Sequence, residues 1–218
     1  MKKIISSKNL IDLYKKGLFP MAEGVTSEII NLYQPKKRFL IPINDFHIPK
    51  KLFKLFKKNN FFFKINSNFK KVITRCQLAK RTDNNTWIND IILNSYLNLH
   101  NLKICHSVEC YNDNHKLVGG LYGVHIGACF FGESMFSDVS NTSKFCLLYL
   151  IAILKKNQFS ILDSQFYNEH LIQFGAFEIQ NNTYLQRLKI NTKITRNFHF
   201  VQNFQEVLSL LQSNNHKS

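Results

Sequence analysis

The chain has 218 residues, 44% of them hydrophobic, which is enough for one compact core or for a main domain with a small partner. Lys and Arg total 29 against 14 Asp and Glu, a formal net charge of +15. A surface of that sign attracts polyanions, nucleic acid first, although a composition rich in Lys, Asn, Ile and Phe produces the same excess without any such partner. No segment approaches the ~18–20 uninterrupted apolar residues of a membrane span. Residues 1–20 lack the compact apolar stretch and cleavage site of a signal peptide, so the cytoplasm is the expected compartment. The cysteines, Cys76, Cys105, Cys110, Cys129 and Cys146, are scattered with no CxxC. They read as buried free thiols in a reducing compartment, with no metal site.

In chain order, residues 7–16 read as a short helix ended by Gly17, and Leu18-Phe19-Pro20-Met21 leads out as an apolar turn. Residues 38–43 read as extended. Pro49 suits the first turn of a helix running to about residue 58. Residues 61–65 read as a strand. Ser67 suits the cap of a helix through Arg81, and Thr86 that of the next, residues 87–100. Strands follow at 104–111, 116–124 and 127–131, the first two joined by the turn Asn112-Asp113-Asn114-His115. Residues 142–156 form a helix with a broad apolar surface. Residues 159–163 are an apolar strand that stops at a carboxylate, and residues 169–174 a helix ended by Gly175. The polar tail beyond about residue 190 holds one more helix near 207–211. Order and spacing predict an α+β fold, with a mixed sheet and flanking helices.

Two stretches carry chemistry. Lys50, Lys54, Lys57 and Lys58 recur at i, i+4, i+7 and i+8, one face of a helix, with Leu52, Phe53, Leu55 and Phe56 elsewhere around it. Like charges at that spacing are relieved by solvent or by phosphates. The second stretch is residues 119–165. Gly119, Gly120, Gly123 and Gly127 permit close approach of another backbone. Glu133, Ser134, Met135 and Phe136 combine a carboxylate, a hydroxyl and two large apolar groups at a strand end. Ser143-Lys144 opens a helix whose N-terminus favours negative charge. Asp163 and Gln165 sit two apart at the end of a buried strand and point the same way if that strand continues. His100, His106 and His170 read as structural. No Ser/His/Asp elbow, Walker loop or dinucleotide fingerprint is present.

Tyr14-x-x-Gly17-x-Phe19-Pro20-Met21, Thr86-Trp87-Ile88, Tyr96-x-x-Leu99-His100, His106-Ser107-Val108-Glu109, the run from Leu117 to Val124, Gly132-Glu133-Ser134-Met135-Phe136-Ser137, Ser143-Lys144, Asp163-x-Gln165, His170-Leu171 and Gly175-Ala176 occur in one order. In that order the chain resembles the leucyl/phenylalanyl-tRNA–protein transferases over about residues 10–188. It departs from them at Tyr33-Gln34-Pro35, where Trp-Ser-Pro is usual, and at Met21, where some members carry a Trp that looks like a stacking partner for the terminal adenine. It departs again at Ser164 and at Gln180-Asn181.

The resemblance implies a mixed sheet of acyltransferase (GNAT-like) type. It implies a small N-terminal α/β subdomain with the basic helix (1–66), a catalytic domain (67–190) and a tail (191–218). The implied reaction passes leucine or phenylalanine from Leu-tRNA or Phe-tRNA to acceptor proteins with N-terminal Arg or Lys, which marks them for degradation through the N-degron pathway. No cofactor, metal or membrane is involved, and the protein is expected to be a monomer. Asp163 and Gln165 would be catalytic, positioning and helping to deprotonate the amine, and Glu133 would bind the cationic acceptor. Leu121, Phe130, Met135, Leu147, Leu150, Leu154 and Leu162 would form the side-chain pocket. Trp87 and Tyr96 would flank the terminal adenine, and Lys50, Lys54, Lys57 and Lys58 would hold acceptor-stem phosphates. Two other readings stand beside it. An acyl-CoA-dependent N-acyltransferase needs a Gly-rich loop that residues 137–144 lack. A non-catalytic RNA-binding protein explains the charge but not Glu133, Asp163 and Gln165.

Overall fold

The structure, a computed structural model, describes residues 3–58, 60–79 and 86–213. The elements are α1 (Ser7–Lys15), β1 (Phe19–Ala22), β2 (Ile30–Tyr33), β3 (Lys37–Ile41), α2 (Lys50–Lys57), β4 (Phe62–Ile65), α3 (Phe69–Gln77), α4 (Asp90–Asn101), β5 (Cys105–Tyr111), β6 (Leu117–Ile126), β7 (Cys129–Ser137), α5 (Thr142–Lys156), β8 (Ile161–Gln165), α6 (Glu169–Ile172), β9 (Phe177–Gln180), α7 (Asn181–Asn191) and α8 (Phe204–Gln212). The first two strands make a separate antiparallel pair; the other seven form one mixed sheet in the order β4-β5-β6-β7-β8-β3-β9. Within it only β7 and β8 run parallel, with α5 crossing between them. Strands β3 and β4, both from residues 1–66, belong to the same sheet as the later strands.

Helices cover both faces. On one, α5 lies against the sheet with α2 (Leu52, Phe56) and α8 (Val207, Leu211) packed into the same core. Helix α5 is buried nearly all round because α8 covers the side the sheet does not. On the other face sit α1, α3, α4 and α7, through Leu10, Val72, Ile92 and Leu188.

Several sequence expectations shift locally. The caps of α3 and α4 are Asn68 and Asn89, not Ser67 and Thr86. The Thr86 hydroxyl is taken by the Ile88 N–H in the preceding turn, and Asn89 Oδ1 accepts from Ile92 N at 2.9 Å. Helix α4 therefore starts at Asp90 and leaves Trp87 outside it; Arg81 lies outside the described residues. Gly127, at φ +62°, makes the tight turn between β6 and β7, so it precedes the strand instead of opening it. Strand β7 then runs on through Ser137, which puts Glu133 within a strand rather than at its end.

Gly119 is one place where backbone approach dictates the residue. A Cβ there would lie 2.4 Å from Thr142 Oγ1 and 2.9 Å from the Thr142 carbonyl carbon, at the first turn of α5. Gly119→Ala should therefore displace α5 and cost about 1–3 kcal/mol, read as a lower urea midpoint at unchanged slope. Gly132→Ala, whose Cβ would meet only Asp163 O at 3.6 Å, should leave the midpoint near that of the wild type.

Candidate active site

Strands β7 and β8 pair through Cys129↔Ile161, Phe130↔Leu162 and Phe131↔Asp163, and then part. Each continues, β7 against β6 and β8 against β3, so their inner edges diverge around a cavity of about 660 Å³. That volume lies in the range of small-ligand pockets. Leu121, Leu147, Leu150 and Leu162 form an apolar wall, with Ile41, Leu171 and Phe174 beside them. Met135 stands 37% exposed at the mouth. The polar rim comes from Glu133 on one strand, Asp163 and Gln165 on the other, and Ser143 and Lys144 on the first turn of α5.

A bulge marks each lip of the opening. Between Tyr122↔Ser134 and Gly123↔Gly132, Glu133 is the extra residue of β7; between Phe39↔Gln165 and Leu40↔Asp163, Ser164 is that of β8. Beyond the second bulge Gln165 takes φ +64°, which costs a residue with a side chain on the order of 1–2 kcal/mol. The turn is held from below: the Gln165 N–H donates to Asp163 Oδ1 at 2.9 Å, and Gln165 Nε2 reaches the Asp163 carbonyl at 3.4 Å. Gln165 Oε1 is then the end of the amide that can accept from an incoming donor.

Asp163 is completely buried and ion-paired to Arg38 of β3, also completely buried. Tyr184 of α7 adds a hydrogen bond to Asp163 Oδ2 at 2.6 Å. Among the described residues Glu133 is in no ion pair. Tyr14 of α1 donates to its Oε1 at 2.6 Å and Tyr96 of α4 to its Oε2 at 3.1 Å, and the two hydroxyl oxygens lie against each other. Burial pushes the Glu133 carboxyl up to about 7. The tyrosine hydrogen bonds and Arg38 act against that rise, and the charge of Asp163 adds to it.

The structure brings most of the sequence-derived site residues to this cavity: Leu121, Met135, Leu147, Leu150, Leu162, Glu133, Asp163, Gln165 and Trp87 all line it. Phe130 does not. It lies where β7 and β8 still pair, and its ring stacks on Phe198 at 5.4 Å. Leu154 sits on α5 one turn beyond Leu150, inside the core. Tyr96 is wholly buried, its hydroxyl on Glu133 and its ring edge-on to Tyr122, so no face of it is open to a base. The side chains of Lys50, Lys54, Lys57 and Lys58 are exposed on α2, and none is in an ion pair among the described residues. His100 stacks on Phe69 and His106 on Phe198, both structural, whereas His170 joins the cavity wall. Sequence reasoning assigns no role to Arg38, Tyr14 or Tyr184. The available signal is Arg38 itself, a cation flush against the apolar run Phe39-Leu40-Ile41 in a strand. Such a cation is buried only with a partner.

An apolar wall that could take an acyl side chain, beside an amide and a carboxylate that could take up an amine, is what an aminoacyltransferase requires. The leucyl/phenylalanyl-tRNA protein transferase family model matches residues 40–189. The protein named leucyl/phenylalanyl-tRNA–protein transferase in Zymomonas mobilis subsp. mobilis is 43% identical over 189 residues, covering 87% of this chain and 70% of that protein. Its namesake in Phenylobacterium zucineum is 42% identical over 182 residues, covering 84% and 82%. This chain belongs to the leucyl/phenylalanyl-tRNA–protein transferase family. Among solved structures, L-PGS from Bacillus licheniformis aligns with 98% of this chain and 71% of that one at a TM-score of 0.40 and 9% identity, a loose likeness.

The Glu133 environment sets a pH dependence of stability. Its folded-state value, about 7, lies above the ordinary 4.5, so the fold binds that proton more tightly than the unfolded chain does. Its contribution is therefore present below pH 4.5 and is lost as pH rises towards 7, by roughly 3 kcal/mol at most. Glu133→Gln should flatten this slope between pH 5 and 8 in urea melts; a slope equal to that of the wild type would exclude Glu133 as its source.

Proposed function

We propose that this chain transfers leucine or phenylalanine from aminoacyl-tRNA to the α-amine of acceptor proteins beginning with Arg or Lys. We also propose that it does so as a cytoplasmic monomer and thereby marks those proteins for degradation. The observation that carries this reading is the parted-strand cavity, whose leucine-lined wall and Glu133–Gln165 rim meet at one opening. Family membership favours it over the acyl-CoA and non-catalytic RNA-binding readings.

The aminoacyl ester is already activated. The amine nitrogen bonds the ester carbonyl carbon, the carbon–oxygen bond to the ribose breaks, and the nitrogen's proton ends on the ribose oxygen. The enzyme then mostly holds the amine against the carbonyl, an effect that supplies up to ~7–11 kcal/mol in the best cases. The free amine titrates near ~8, so much of it is already neutral at cellular pH. Leu121, Leu147, Leu150, Leu162 and Met135 take the leucyl or phenylalanyl side chain. Gln165 and Asp163 position the amine through the Gln165 carbonyl oxygen. Glu133, when ionised, attracts the cationic acceptor. Trp87 on the rim is the surface for the terminal adenine, and Tyr96 contributes by supporting Glu133. The lysines of α2 take up acceptor-stem phosphates.

Incubating the protein with labelled Leu-tRNA and an Arg-leading peptide should move the label to the peptide; label that stays on the tRNA would overturn the reading. Gln165→Ala should cut transfer by about 10²-fold or more while aminoacyl-tRNA binding holds, and equal loss of both would remove Gln165 from the chemistry. Replacing Lys50, Lys54, Lys57 and Lys58 with Ser should weaken tRNA binding and flatten its salt dependence, by about 0.9 in log–log slope for each duplex phosphate no longer neutralised. Unchanged binding would leave that face to solvent.

A further inference from the structure

Every nitrogen of the Arg38 guanidinium is hydrogen-bonded. Its Nε contacts both Asp163 carboxylate oxygens at 2.9 Å, one terminal nitrogen reaches Oδ2 at 2.8 Å, and the other donates to the Gly17 carbonyl at 3.0 Å. The guanidinium carbon lies 4.8 Å from the centre of the Phe19 ring and 4.6 Å from that of Tyr184. A planar fork engaged along its edge and covered by aromatic rings is fixed in a way a flexible ammonium is not. Asp163 is correspondingly full. A carboxylate offers about four lone-pair directions, and Asp163 meets Arg38, Tyr184 and the Gln165 N–H with them. Among the described residues those contacts already occupy both oxygens, two donors on Oδ1 and three on Oδ2.

We infer that Arg38 is the positioning residue of the transfer site, an inference that rests on the transfer reading above. It ties the Gly17 carbonyl, Asp163 and the left-handed Gln165 turn into one rigid unit, and Asp163 serves that unit as an anchor, not as the acceptor of the amine's proton. The amine arrives neutral, its nitrogen bonds the ester carbon as the ribose carbon–oxygen bond breaks, and its proton leaves on the ribose oxygen without residing on Asp163.

The test compares the wild type, Arg38→Lys and the pair Arg38→Gln with Asp163→Asn, as full chains, with Leu-tRNA and an Arg-leading peptide. Thermal melts establish folding; the pair removes both charges of the buried Arg38–Asp163 couple, so neither is left uncompensated. Arg38→Lys keeps the charge and loses the fork: kcat should fall about tenfold to a hundredfold, with KM for Leu-tRNA nearly unchanged. The pair keeps neutral hydrogen-bonding partners for each other and for the Gln165 N–H but loses the fork as Arg38→Lys does, so its kcat should lie within about tenfold of that of Arg38→Lys, whereas loss of a general base would cost a further factor of about 10²–10⁴. Wild-type kcat in Arg38→Lys overturns the positioning role, and a pair slowed about a hundredfold or more below Arg38→Lys shows that the carboxylate itself is needed. A wild-type protein that transfers nothing overturns the transfer reading and this inference with it; activity in the wild type leaves the two variants to judge the inference alone.

Discussion

Two parallel strands that pair for three residues and then separate set the terms for the rest of this molecule. After Phe131 and Asp163 the sheet has an opening in its middle, although β7 and β8 each stay hydrogen-bonded along their outer edges. An opening inside a sheet exposes strand edges that must meet water, polar side chains or a ligand. Here it meets all the components of a site at once, because a bulge on each lip turns one polar residue out of register. The bulges are the local device, and the parting of the strands is what makes them face a common space.

The two lips carry carboxylates that the fold treats in opposite ways. Asp163 has a guanidinium, a phenol and a backbone N–H, and removing one partner of such a buried ion pair costs on the order of 3–5 kcal/mol. Glu133 has two phenols and, among the described residues, no ion-pair partner, and its carboxyl rises to about 7. One carboxylate is thus committed to holding the chain, and the other can change charge near neutrality. Their separation follows from the strand order: Arg38 stands on β3, which borders β8 and not β7.

Much of this is legible in the sequence where a single period dominates. Helix α5 is bounded at both ends because the apolar run Phe145 to Leu154 lies between Thr142-Ser143-Lys144 and Lys155-Lys156, and the β5–β6 hairpin follows from its polar turn. Strand β9 and helix α7 are not legible. The strand is a mostly exposed edge, and the helix buries only Tyr184 and Leu188, so neither shows a hydrophobic face. The β1–β2 pair escapes notice because the four residues Phe-Pro-Met-Ala do not alternate. At the site, Glu133, Asp163 and Gln165 stand out as residue types at a strand end, but no one-dimensional pattern records that a bulge separates Glu133 from its neighbours. Phe130 and Leu154 fit the apolar pattern as well as Leu162 and Leu150 do; only the point at which the strands part divides lining from core.

The net charge of +15 acts on a different length scale from the cavity. The α2 lysines are exposed and without counter-charges among the described residues, on the face of the sheet that also carries α5. Under the proposed function they supply attraction that depends on phosphate and not on sequence, so they cannot distinguish one tRNA from another. Discrimination then falls to the acyl side chain, where an apolar wall separates neighbours differing by one methylene by only ~1–3 kcal/mol. Leucine and phenylalanine differ by more than one methylene, so under the proposed function both are accepted only if part of the wall is soft. Met135, unbranched and 37% exposed at the mouth, is the soft part. Under the proposed function, tolerance for two side chains would rest on one flexible residue at the opening of an otherwise branched leucine wall.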